Sequence, residues 1–215
     1  LVTPRWLGGL AAALAVAAVM VLLGLWQFSR YETRSEINGR IDAAQVAEPV
    51  PLDALLPAPA AGQELGPAPD EVTVWSPVVA TGRYDPTYQV LVRGRSLQGT
   101  VGYEVVTPLV LADGSAVLVD RGWLPASGSA RPEPSAVPPP AEGEVTVVGY
   151  LRRSESRSAP VEEIDGVRQS RRITAAAVAS LVPYPVRDGY VQLIRQTPAA
   201  DGLTPVPAAR ENSML

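Results

Sequence analysis

The sequence predicts an α+β protein: an N-terminal transmembrane helix followed by a mostly antiparallel β domain with little helix. Three observations carry this. Residues 6–28, WLGGLAAALAVAAVMVLLGLWQF, contain no charged side chain. Between residues 72 and 196 the apolar residues arrive in short β-branched runs. Two of those runs flank Ala112-Asp113-Gly114, and Asp-Gly between apolar runs is a strong hairpin signal.

Residues 6–28 come first. Twenty steps separate Trp6 from Trp26; at about 1.5 Å per residue that is about 30 Å, a hydrocarbon core's thickness. A tryptophan at each end matches the aromatic belts of the two interfaces. Ala15-Val16-Ala17 also resembles a signal-peptide cleavage site. Residues 19–26, VMVLLGLW, follow it, where a mature chain would turn polar, so a retained anchor is favoured. Gly8, Gly9 and the alanines up to Ala18 leave room for a second helix, or are filler. Arg5 precedes the span and Arg30, Arg34 and Arg40 follow it; counted literally, that places the following domain in the cytoplasm.

Residues 29–71 form a helical extension and linker. Residues 29–42 are charged and free of proline, so the helix continues out of the bilayer, with Glu32 and Glu36 interleaved with Arg30 and Arg34 on a solvated face. Residues 47–71, rich in Pro, Ala and Gly, read as a loop or semi-extended linker. The β-rich domain is placed at residues 72–196. Its strands are 72–84, with Pro77 implying an edge or a bulge, then 87–95, 101–111 and 115–124. After a Pro-rich loop at 125–144 come a strand at 145–153, a short helix at 175–181 capped by Thr174, and a last strand at 190–196. Residues 197–215 read as irregular.

The totals narrow the chemistry. The chain has 215 residues, enough for one domain with a core. Its net charge of −4 gives no basic signature of nucleic-acid binding. It has no cysteine and no histidine. That excludes disulfides, thiolate metal sites, Ser-His-Asp and Cys-His arrangements, and the usual axial ligand of haem. No phosphate-binding glycine loop is present. Asp85, Glu104, Asp113 and Asp120 are isolated in sequence, so no carboxylate pair is signalled and no enzymatic activity is expected. All 18 cations are arginines, which with abundant Ala and Pro points to a GC-rich bacterial source such as an actinomycete. The start at Leu1 without methionine indicates a piece of a longer chain.

What remains is residues 117–125, VLVDRGWLP. Neighbours on a strand point to opposite faces. Val119, Arg121 and Trp123 would share one face, and Leu118, Asp120 and Gly122 the other, with the strand leaving the core at Asp120. Asp120 and Arg121 then need separate partners, because an unpaired buried charge is costly; Arg93, Arg95 and Glu104 are candidates. Two readings stand. Either Asp120 and Arg121 fix sheet register with those partners, or the arginines and Trp123 face outward and hold an anionic planar ligand or a partner protein.

Several stretches together resemble the surfeit locus protein 1 family. Residues 23–34, LGLWQFSRYETR, are similar to the end of its first span. Gly82-Arg83-Tyr84-Asp85 resembles its Gly-Arg-aromatic-Asp strand. Residues 92–125 resemble its central signature, Gly-Tyr-x-Val-x-Thr-Pro-Leu, then Asp-Gly, then Val-Asn/Asp-Arg-Gly-Trp. Residues 147–155, VVGYLRRSE, look like its next strand.

The resemblance implies two membrane spans with the β domain between them, on the outer face of the bacterial cell membrane or in the mitochondrial intermembrane space. This is preferred over the literal arginine count. It implies a chaperone of the respiratory chain, assisting cytochrome c oxidase assembly and delivery of haem a to the catalytic subunit. The partners would be oxidase subunits, above all that haem-bearing one, and membrane lipid. A permanent accessory subunit of the oxidase, or a generic anchored binding module, are the alternatives. The binding residues carried over are Gly82, Tyr84, Asp85, Arg93, Gly102, Tyr103, Asp120, Arg121, Gly122 and Trp123, and the anchor residues are Trp6, Trp26, Gln27 and Arg30. Residues 197–215 would lead into a second transmembrane helix beyond residue 215. There the family reads Glu-Asn-Asn-His-Leu, and here Met214 stands in the histidine's place. No firmly bound cofactor or metal is therefore expected, and haem a only as a transient ligand.

Overall fold

The computed structural model describes residues 4–126, 137–155, 159–200 and 202–208, leaving aside the side chains of residues 4–7, 10, 11 and 31–37. Met214 and the rest of residues 209–215 lie outside the described residues, as does the side chain of Trp6. Two units are distinct, a helical one up to Ala43 and a β unit over Ala44–Pro207.

Helix α1 (Pro4–Val46) runs without a break from the apolar stretch through the charged extension. Its window Ala12–Arg30 has a mean hydropathy of 2.0 and none of it is buried within the chain. This is one N-terminal helix long and apolar enough to cross a membrane, and such a surface, apolar all round, is stable in lipid. The Arg30 guanidinium lies over the Trp26 ring at 5.5 Å, and the Ser29 hydroxyl donates to the Trp26 carbonyl. Gln27 is exposed.

The β unit is one sheet: β1 (Val50–Pro51), β2 (Pro77–Tyr84), β6 (Val145–Arg152), β9 (Val186–Thr197), β5 (Ala116–Pro125), β4 (Thr100–Leu111), β3 (Val90–Leu97), β8 (Val167–Ser170) and β7 (Glu162–Ile164), in that spatial order. β2 also pairs with β4, so β2, β6, β9, β5 and β4 close into a ring. Most pairs are antiparallel; β1–β2, β3–β8 and β5–β9 are parallel. One edge of β4 serves two neighbours: Val106 is its last pair with β3, and Leu109 its first with β2. Pro108 sits at that handover, where a missing N–H costs no ladder bond, and its carbonyl accepts from the Asp85 amide at 2.9 Å.

Each strand of the ring contributes to one apolar cluster, including Val78, Leu109, Val119, Val147 and Val191. A second cluster, including Val92, Val106, Leu118 and Tyr190, is covered by helix α3 (Ala175–Ala179). A third, with Leu91, Tyr103, Val105 and Val167, fills the opposite side of β3 and β4.

Several expectations are corrected. Residues 47–71 are not a plain linker. They hold β1 and the helical turn α2 (Leu52–Leu55), and Leu52 and Leu56 enter the ring's core. Arg187, itself buried, ties this segment down. It pairs with Asp53 and, at 2.7 Å, with Asp113, and donates to Ser115 Oγ and the Leu56 carbonyl. The first long strand starts at Pro77, because residues Glu71–Thr73 form a 3₁₀ turn and Trp75 has φ 74°. The next starts at Val90, after a 3₁₀ turn at Pro86–Tyr88. The last begins at Val186. Strands β7 and β8 were not foreseen. Thr174 does not cap α3: Ser154 Oγ accepts from the Ala175 amide instead, at 3.1 Å, held by a 2.7 Å bond to Asp188. Residues 197–215 are not wholly irregular, since Thr204 bridges to Trp123.

Candidate functional site

The stretch Asp120-Arg121-Gly122-Trp123 lies inside β5, and all four residues are buried. The sequence reading has the strand leave the core at Asp120; it stays buried through Trp123 and runs to Pro125. Across the ladder to β4, Val106 faces Asp120 and Glu104 faces Trp123. Two steps on β4 thus match three on β5, which makes a bulge at Arg121-Gly122. Gly122 accommodates it with φ 137°, and a Cβ there would come within 2.8 Å of the Thr204 carbonyl. The extra residue reverses the alternation. Asp120 and Trp123 share a face, and Arg121 points the other way. The expectation that Arg121 and Trp123 share an outward face is therefore wrong: Trp123 is 7% exposed and Arg121 6%.

On one side Arg121 rests over the Tyr84 ring at 5.7 Å. It donates to Gln89 Oε1 at 2.9 Å and to the carbonyls of Pro138 and Pro139 at 3.1 and 2.9 Å. Gln89 Oε1 also accepts from Thr107, and the Tyr84 hydroxyl donates to Gln196 at 2.9 Å. All of these acceptors are neutral. Burial lowers the Arg121 pKa, with the Tyr84 hydroxyl opposing, yet a guanidinium stays charged. The fork is matched by fixed carbonyls, which a lysine would not reproduce.

On the other side the structure assembles carboxylates that are isolated in sequence. Arg95 Nη2 pairs with Glu155 Oε2 at 2.6 Å, and Arg95 Nε lies 2.9 Å from Glu104 Oε2 without the alignment of a hydrogen bond. Glu155 also accepts from the Ile173 amide. Asp120 stands beside this group, and its Oδ1 accepts from the Gly122 amide at 3.2 Å. Burial, and then the charge of Glu104, pushes the Asp120 carboxyl up to about 8; burial also raises Glu104. Burial and the neighbouring Glu104 thus favour the protonated form of Asp120.

The sign of the pH dependence follows. The folded state holds the Asp120 proton more tightly than an unfolded chain, where an aspartate titrates near ~3.9. Its contribution is complete below that value and is lost as pH rises through about 8. Asp120→Asn, which cannot titrate, is expected to gain on the wild type as pH rises from about 5 to about 8.5, its melting temperature rising by several degrees relative to the wild type across that range. Equal destabilisation at both pH values, read by thermal melts, would show that an ionised Asp120 is needed.

The remaining signature residues shape the sheet. The Trp123 indole donates to the Arg95 carbonyl at 3.2 Å and lies on Gly102, where a Cβ would be 2.6 Å from the ring. A Cβ on Gly82 would meet the Val110 carbonyl oxygen at 2.3 Å, so the β2–β4 closure needs a glycine there. Asp85 caps the turn after β2, accepting from the Thr87 amide and the Tyr184 hydroxyl. Arg93 pairs with Glu162 at 2.9 Å, not with Asp120, and Tyr103 is buried among Leu91, Val105 and Val167. Two groups therefore form: Tyr84 with Arg121, and Asp120 with Gly102 and Trp123 around Arg95. Gln89, Glu155 and Arg187 were missed. Their only signal in sequence is polarity, since their partners lie on distant strands.

The most common axial ligands of haem iron are missing or out of reach among the described residues. The chain has no histidine or cysteine, and Met20, the methionine among the described residues, is exposed on α1.

Most of the chain resembles known proteins. The SURF1 family model matches residues 14–214. SURF1-like proteins of Mycobacterium tuberculosis and Mycobacterium bovis are 36% identical over 214 residues, covering 96% of this chain and 74% of theirs. A SURF1-like protein of Monosiga brevicollis is 32% identical over 168 residues, 73% of this chain and 59% of its own. Surfeit locus protein 1 of Homo sapiens is 29% identical over 157 residues, 66% of this chain and 48% of its own.

Proposed function

The chain belongs to the SURF1 family, and from that membership we propose that it is a membrane-anchored assembly factor for cytochrome c oxidase. It acts by binding rather than by catalysis, during haem a insertion or another step in maturation of the catalytic subunit. The β unit works on the extracytoplasmic side of the bacterial cell membrane, tethered by α1. Its partners are oxidase subunits, first of all the haem-bearing one. With no histidine or cysteine in the chain to hold iron, contact with haem a in this reading is transient. The observation that carries this reading is the extent of the family match, which runs from the apolar helix through the whole β unit.

The test is a reduced-minus-oxidised spectrum of membranes from a strain lacking the gene. The haem a band is expected to fall while the b and c bands stay, and a plasmid copy restores it. Unchanged bands with normal oxidase activity would overturn the reading. An assembly factor is also expected to co-purify with mature oxidase well below one copy per complex.

A further inference from the structure

β3 and β8 run parallel, with Leu91 beside Gln169 and Val92 beside Ser170. Both chains then continue into arginine at the same end. Arg93 and Arg95 follow on β3, and Arg171 and Arg172 follow β8. All four line one groove of about 680 Å³, together with Tyr103 and Val101, and among the described residues no carboxylate lines it. Four of the chain's 18 arginines thus gather in one place on a protein whose net charge is −4.

The groove is partly built and partly open. A bulge between Arg93 and Arg95 fans these two side chains apart, and Gly94 at its centre has φ 76° with open space where a side chain would stand. Glu162 fixes Arg93, and Glu155 fixes Arg95. Arg171 and Arg172 are exposed and make no ion pair among the described residues. Two guanidiniums are therefore held in place and two are free to close on a ligand. Guanidinium forks match tetrahedral oxyanions, and several around one site select a multiply charged one. The volume falls in the range of small-molecule sites, and Val101, 57% exposed, adds an apolar rim.

We propose that this groove binds a phosphate group, carried either by an anionic phospholipid headgroup or by a soluble phosphate ester. The inference does not depend on the oxidase reading.

The experiment uses the full chain purified in detergent. Three probes are titrated by thermophoresis: inorganic phosphate, glycerol phosphate and a short-chain phosphatidylglycerol. At least one is expected to bind saturably, and Arg171→Ala/Arg172→Ala to weaken that binding at least about tenfold, as loss of charged hydrogen bonds would. Binding of phosphatidylglycerol alone assigns the headgroup as the source; binding of the soluble probes assigns the ester. Near-UV circular dichroism checks that the double variant is folded, and Arg171→Gln alone gives a milder second measurement in the same direction. The proposal fails if no probe saturates, or if the folded variants bind every probe as the wild type does.

Discussion

A Trp123→Ala variant is expected to lose about 3–5 kcal/mol of stability, the usual cost of deleting a buried tryptophan. The loss has two parts. The ring fills the space over Gly102, and its indole N–H satisfies the Arg95 carbonyl. With the ring gone, Gly102 faces a cavity and the carbonyl of Arg95 loses its partner beside an already crowded carboxylate group. The measurement is denaturant unfolding of the purified protein, with an immunoblot of membranes. Reduced amounts in the membrane and reduced oxidase would then fall together. A variant that unfolds like the wild type yet fails to support oxidase assembly would instead assign Trp123 to contact with a partner.

Gly82→Val should be comparably damaging, by about 3 kcal/mol or more, at the upper end for overpacking. The obstruction is a backbone oxygen, that of Val110, so no side-chain rotation relieves it. The ladder it would break has three residue pairs, Gly82 with Leu111, Arg83 with Val110 and Tyr84 with Leu109. These pairs close the ring. Tyr84 would move with them, and with it the surface on which Arg121 rests. Limited proteolysis is expected to cut the variant between β2 and β3 faster than the wild type. Unchanged proteolysis and melting would show that ring closure contributes little to the stability of the β unit.

The two variants act on features of very different legibility. A glycine before an aromatic on a strand gave no hint that β2 would meet β4, which lies far along the chain. By contrast the β4–β5 hairpin was readable, because its signal is local: Gly114 with φ 81° and Asp113 accepting from Ser115. The signature 120–123 was readable as a cluster of polar residues that needed partners. Its faces were not, because one extra residue at Gly122 reverses every side chain beyond it. The segment at 47–71 misled for a related reason. Its proline content suggests a linker, and only packing against the ring's apolar cluster makes Leu52 and Leu56 core residues.

Composition and local pattern were therefore enough for a helix apolar enough to span a membrane, for the main strands and their hairpin, for the absence of histidine and cysteine chemistry, and for the family. These properties depend on residues close in sequence, or on counts. Tertiary structure alone decided that the sheet closes into a ring, that Arg121 is satisfied by neutral acceptors, and that Asp120 is gathered with Glu104 and Glu155, where its carboxyl pKa is raised. It alone brought four arginines to one end of two parallel strands. Each of these depends on pairing between strands far apart in the chain, where register is set by the packing of the whole sheet rather than by any neighbour in sequence.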